Sequence, residues 1–139
     1  MNVGPQFDPL DFGEAALKLR TYRHEILGSN LTNADTPGYK ARDIDFSKSL
    51  QNELLQRNHA DTMPMEVTSS GHYQFNSSIS NRPNLLYRVP NQPSMDGNTV
   101  DPDIELSEFS KNALMTQAAI TFLTGTIKNR LSAITGQSS

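Results

Sequence analysis

The stretch Asn30–Phe46, NLTNADTPGYKARDIDF, decides how the chain must be divided. A helical pattern runs into Asn33, Asp35, Pro37 and Gly38, and a tyrosine and alternating charges follow at once. Thr36 precedes a proline and is pushed out of helical geometry. Pro37-Gly38 favours a tight turn, with Gly38 supplying a positive φ at little steric cost. Asn33 and Asp35 suit the carbonyl and amide groups orphaned at a helix end. A plain helix stop explains these residues but not Tyr39 directly behind them. The tyrosine's large apolar face and polar tip suit it to anchor on a neighbouring surface. The stretch therefore reads as a joint between a terminal helix built for assembly and a middle segment built for contact.

Upstream of the joint, Phe12, Ala15, Leu19, Tyr22, Ile26, Ser29 and Asn33 step by three and four, which lays them on one helical face. Asp8 or Asp11 is placed to cap this helix, with Pro9 excluding an earlier interior turn. The last third repeats the theme. Leu106, Ala113, Ile120, Ile127 and Ile134 lie seven apart, and Phe109, Thr116 and Leu123 fall between them, the series ending at Arg130. That is an a/d seam sustained over four heptads. Asp101 as N-cap, Pro102 at the first helical position and the acids Asp103 and Glu105 mark its start; Gly136 marks its end. Leu114, Phe122 and Leu131 widen the apolar face, so this helix is expected to touch more than one neighbour.

The middle is different in kind. Residues 59–100 are rich in Ser, Asn and Pro, with short alternating runs at MEVT (65–68), HYQF (72–75, with Tyr73 and Phe75 on one face) and LLYRV (85–89). Pro83, Pro90 and Pro93 prevent a continuous central strand. Before it, Phe46, Leu50 and Leu54 predict a short helix capped by Asp45 or Ser47. The expected organisation is one structural unit: an N-terminal helix over 8–35, the joint and short helix over 36–58, an irregular or β-containing insertion over 59–100, and a C-terminal helix over 101–136. The fold class is mainly α, with the two long terminal helices packed as an antiparallel coiled-coil-like pair. A small monomeric bundle would use the same two helices. Seams at opposite ends of a chain with little apolar content between them instead suggest a pair whose outer faces still need covering.

Composition agrees with a thin core. Of 139 residues 35% are apolar, and even with the 8 glycines added this stays below the roughly 45–50% of an ordinary domain. Mean hydropathy is −0.54. A net charge of −3, with no basic cluster beyond the loose Lys18, Arg20 and Arg23 group, argues against nucleic acid as a partner. The absence of cysteine excludes disulfides and thiolate sites. No apolar run approaches a membrane span, and the first twelve residues lack the basic and apolar regions of a cleaved secretory signal.

Catalytic or metal chemistry finds little support. His24, His59 and His72 are scattered, with no HExxH spacing. Asp43 and Asp45 share one side of an extended segment; paired carboxylates can do acid–base work, but solvation or an ion pair with Arg42 is far commoner. DGNTVDPDIELS (96–107) fails as a calcium loop, with Asp101 where glycine is required and Ser107 where glutamate is. NLT at Asn30 and NSS at Asn76 match the glycosylation triplet only as chance commonly would. No catalytic, cofactor-binding or metal residue is expected.

These residues carry a resemblance. Ser29–Phe46, SNLTNADTPGYKARDIDF, following a helix over Leu17–Leu27, closely resembles the N-terminal signature of bacterial flagellar axial proteins, a small-Asn-x-x-Asn-x-x-Thr-Pro-Gly-Tyr run behind a terminal helix. Asn30, Asn33, Thr36, Pro37, Gly38 and Tyr39 carry the motif. YKARDIDF, LLYRVPNQPS and DGNTVDPDIE extend the likeness to the basal-body rod proteins, those of the proximal rod above all. It is strong over Asn30–Phe46 and Asn84–Glu105 and weak over His59–Ser80; Ser29 and Thr32 stand where many relatives have alanine. The resemblance implies a structural subunit of the flagellum that is exported unfolded through the type III apparatus and polymerises in the periplasm. Its implied partners are itself, FlgC-like and FliE-like proteins and the export gate, with no cofactor. A sister axial rod protein, a two-helix secretion-linked adaptor that never polymerises, and an enzyme using Asp43, Asp45 and one histidine are the competing readings.

Overall fold

Asp8 starts the first helix by accepting from the Leu10 amide at 2.8 Å, and Pro9 occupies a first-turn position whose amide would be unpaired anyway. A computed structural model describes residues 8–60, 83–90 and 94–136. Helix α1 spans Pro9–Thr32, strand β1 Arg42–Ile44, helix α2 Phe46–Ala60, strand β2 Leu85–Tyr87 and helix α3 Pro102–Thr135. Asp45, not Ser47, caps α2, accepting from the Lys48 amide at 3.1 Å. Asp101 caps α3 through the amides of Asp103 and Ile104. Gly136 closes α3 at φ 67°, a left-handed conformation that glycine takes without a Cβ penalty.

The protein is mainly α-helical, with α1 and α3 packed as an antiparallel pair. The pairing order shows the direction: Asn30 meets Glu105, Arg20 meets Asn112, Gly13 approaches Leu123 and Asp8 meets Arg130. At 34 residues against 24, α3 is ten residues longer than α1, about 15 Å at 1.5 Å per residue. Gly13 permits the approach, because a Cβ there would lie 2.9 Å from the Leu123 side chain.

The apolar core lies between α1, α2 and β1. Leu19, Ile26 and Ile44 are buried together, with Tyr22, Phe46 and Leu50 packed against them. The Arg57 guanidinium clamps α2 to α1, bonding both Glu14 oxygens at 3.1 Å. Strands β1 and β2 form an antiparallel two-stranded ribbon, with Arg42 opposite Tyr87, Asp43 opposite Leu86 and Ile44 opposite Leu85. The expected LLYRV strand is thus present over its first three residues, and its partner lies in the joint. The MEVT and HYQF runs, with Tyr73 and Phe75, lie outside the described residues, as do Asn76 and Pro93.

The C-terminal seam is out of phase with the expected one. Phe109 and Leu123 do turn toward α1, Phe109 stacking on His24 with ring centres 4.0 Å apart. The side facing α1 otherwise runs through Glu105 and Asn112, both buried, one residue before the expected Leu106 and Ala113. Leu106, Ala113, Ile120, Ile127 and Ile134 all remain exposed. The polar phase prevails because its members find partners: Asn112 donates to the Arg20 carbonyl at 3.0 Å, and Glu105 accepts from Asn30 and Arg88. On α1, Leu19 and Ile26 are buried but Phe12 is exposed.

The joint and the candidate assembly surface

Each residue of the joint has a traceable task. Asn33 donates from its side chain to the Ser29 carbonyl at 2.8 Å, its own amide bonds the Asn30 carbonyl at 3.1 Å, and the Thr36 hydroxyl reaches its side-chain oxygen at 3.2 Å. Asp35 stays exposed and takes no part in the helix end. Pro37 is exposed beside Gly38, which adopts φ 73° and bonds the Asp96 carbonyl through its amide at 3.0 Å. Tyr39 is half-buried and folds back on its own helix: its hydroxyl lies 3.2 Å from Ser29 Oγ and 3.4 Å from Asn30 Oδ1. The neighbouring surface that it anchors on is therefore the end of α1.

Asn30 is fully buried and behaves as an extra strand residue. Its side-chain amide donates to the Arg42 carbonyl at 2.7 Å and accepts from the Arg42 amide at 3.1 Å. A second bond from the same nitrogen reaches Glu105 Oε2 at 3.1 Å. One side chain thus ties the end of α1 to the start of β1 and to the first turn of α3. Burial also removes Asn30 from any glycosylation reading.

Around Asn30 lies an ion network that no spacing in the sequence announces. Arg23 binds both oxygens of Asp43 at 2.8 Å and Glu108 at 2.9 Å; Arg88 binds Asp43 at 2.6 Å and Glu105 at 2.5 Å. Burial alone would push the Asp43 carboxyl up, but the bonds from Arg23, Arg88 and the Ile44 amide hold it below the ordinary value of 3.8. Glu105 goes the other way: burial pushes its carboxyl above 4.5, and the Asn30 bond and the Arg88 charge recover only part of that. The same bonds raise the Arg23 guanidinium further above its already high value. Asp43 therefore pairs with Arg23 and Arg88 rather than with Arg42, and Asp45 serves as a cap, so the two carboxylates do not share a site.

The basic group on α1 is consumed internally. Lys18 pairs with Glu53 at 3.6 Å, the Arg20 guanidinium sits 3.8 Å above the Phe46 ring, and Arg23 joins the network. His24 stacks on Phe109 with its Nδ1 buried and unpaired; His59 lies in the last turn of α2, and His72 is outside the described residues. Among the described residues, no group of three or more His, Cys, Asp or Glu could hold a metal ion.

Sequence reasoning missed Asn98, whose side-chain nitrogen caps the end of α1 by donating to the carbonyls of Asn33, Ala34 and Thr36 at 3.2, 2.6 and 3.0 Å. It also missed Asn112, Arg23 and Arg88. A second seven-residue series, Glu105, Asn112, Ala119 and Thr126, runs one step before the apolar one and was the available signal for Asn112.

The other face of α3 completes the picture. Leu106, Ile120, Ile127, Leu131 and Ile134 form an exposed apolar stripe beside the α1 contact, and Met115 and Phe122 are exposed on the opposite flank. Exposed apolar surface of this extent is typical of interaction sites. Among the described residues, no helix is long and apolar enough to cross a membrane. An antiparallel helix pair, braced at one end and apolar along its outside, has the form of a structural building block.

The chain belongs to the family of flagella basal body rod proteins, whose sequence model matches residues 10–40, nearly all of α1 and the turn behind it. It is 44% identical over 128 residues to the flagellar basal body rod protein FlgB of Salmonella typhimurium, covering 91% of this chain and 93% of that one. The FlgB proteins of Yersinia ruckeri (46% over 126 residues, 90% and 92% covered) and Escherichia coli (42% over 127 residues, 90% and 91% covered) are similar along the same length. The protein is a structural subunit of the flagellar basal body rod.

Proposed function

We propose that this subunit polymerises in the proximal rod, in the periplasm, with α3 carrying the contacts between subunits. In this reading it is exported unfolded through the type III apparatus, performs no catalysis, and joins the export gate and a FliE-like adaptor to FlgC-like rod proteins. The observation that carries it is the outward apolar stripe Leu106, Ile120, Ile127 and Ile134, which the fold leaves exposed while Glu105 and Asn112 are buried. Burying a fully exposed side chain of this kind contributes about 1.5–3 kcal/mol, and each of these four, between 42% and 83% exposed, can contribute a part of that to association. A contact between unlike patches that does not close into a ring generates a helical tube. The motif Asn30, Asn33, Thr36, Pro37, Gly38 and Tyr39 acts indirectly, by fixing the angle at which β1 and α2 leave α1.

The test is electron microscopy of basal bodies from the native bacterium lacking this chain, with the intact chain restored as control. The expected result is that rod, hook and filament vanish while the membrane ring persists. Complete flagella without the chain would overturn the reading and favour a non-polymerising adaptor.

A further inference from the structure

Two surfaces of the chain are complementary in charge and in apolarity. The first is an open groove of about 530 Å³ between α1 and α2, floored by Leu17, Leu19 and Tyr22 and rimmed by Glu14, Glu25 and Glu53, with Lys18 the only cation among the described residues that line it. Glu14 and Glu53 are held by Arg57 and Lys18, whereas Glu25 is exposed and has no ion-pair partner among the described residues. The second is the C-terminal third of α3. It exposes Ile127, Leu131 and Ile134 on one face, and α3 carries no acidic residue after Glu108. Its charges there are Arg130, paired with Asp8, and Lys128, exposed and without an ion pair among the described residues.

We infer that the C-terminal third of α3 of one copy seats in the α1–α2 groove of the next, with Lys128 beside Glu25. This deepens the proposed function and rests on its reading that copies of the chain contact one another in the rod. Three observations point to a second copy as the occupant. The groove's apolar floor needs apolar knobs at helical spacing, and Ile127, Leu131 and Ile134 supply them at i, i+4 and i+7. The acidic rim needs a basic helix, and this segment is basic. The segment also lies at the end of a helix ten residues longer than its partner, which gives it reach. The two patches differ, so the contact is head-to-tail and repeats from copy to copy.

The natural absence of cysteine makes the test clean. Glu25→Cys and Lys128→Cys are placed in two separately tagged chains, expressed together in the native bacterium lacking its own copy, and isolated basal bodies are oxidised. Each chain holds one cysteine, so a covalent dimer joins two chains. The expected product carries both tags, with dimers of like variants absent. Like-variant dimers, a bond to a protein of different mass, or both variants present in basal bodies without a covalent dimer would each overturn the inference. If either cysteine variant is excluded while wild type assembles, charge exchange decides: Lys128→Glu abolishes motility, and adding Glu25→Lys restores it. Failure to restore overturns the inference. Wild-type chain missing from basal bodies would overturn the rod reading instead, and the same cysteine pair oxidised in concentrated purified protein then decides the groove.

Discussion

The two ends of the α1–α3 pair are held by different chemistry. At the joint end, Asn30 and Glu105 are buried, and Arg23, Asp43, Arg88 and Glu108 complete a network in which each member finds a partner. At the far end Gly13 admits Leu123, a half-exposed Asp8–Arg130 pair closes the helices, and Ile127, Leu131 and Ile134 face outward. Polar networks are directional and fix register when fully satisfied; apolar surface attracts without direction. One end therefore sets the geometry of the subunit from within, and the other leaves apolar surface exposed.

The sharpest way to break that comparison is to make Ile120→Asp and Ile127→Asp together. Both side chains are exposed, so each change should move unfolding stability by no more than about 0.5 kcal/mol in urea. Swarming motility should nevertheless be lost. A variant that unfolds would show that the outer stripe belongs to the core.

The joint end should respond in the opposite sense. Arg88→Ala leaves Glu105, only 1% exposed, without its cation, and stability at pH 7 should fall by about 3 kcal/mol. The loss should shrink at lower pH, as Glu105, whose carboxyl burial raises, relieves the burial of its charge by taking up a proton. Equal losses at both pH values would remove Glu105 from the account. Asn30→Ala strands the Arg42 backbone groups and should cost about 2 kcal/mol, read as a lower urea midpoint at unchanged slope.

A smaller effect separates the two carboxylates by sign. Glu105 is raised, so the folded state binds its proton first and stability grows as pH falls toward 4.5. Asp43 is lowered, so its contribution is present above 3.8 and lost as pH falls below it. Thermal melts should show Glu105→Gln flattening the rise and Asp43→Asn flattening the acid loss. Least of all should change in Gly13→Ala: a helix-propensity gain of about 1 kcal/mol is opposed by displacement of the Leu123 side chain, leaving the melting temperature nearly unmoved.

Local chemistry was legible in the sequence. Asp8 with Pro9, Asp45, Asp101 with Pro102, and Gly136 announce the helix ends, because caps act over one turn and depend on adjacent residues. The turn at Thr36–Tyr39 follows from Pro37 and a glycine able to adopt φ 73°. Apolar periodicity likewise fixed the existence and length of α1 and α3.

Tertiary structure decided which side of α3 meets α1. The apolar series through Leu106 and the polar series through Glu105 lie one residue apart, about 100° around the helix. Hydropathy alone selects the first. The choice of the second depends on partners far away in the chain: Asn30 and Arg88 for Glu105, Arg20 for Asn112 and Arg23 for Glu108. Those pairings exist only once the chain is folded, and burying a polar group is costly unless its partners are present. The sequence by itself determined the elements and their ends; packing determined that the apolar series of α3 would stay exposed rather than face α1.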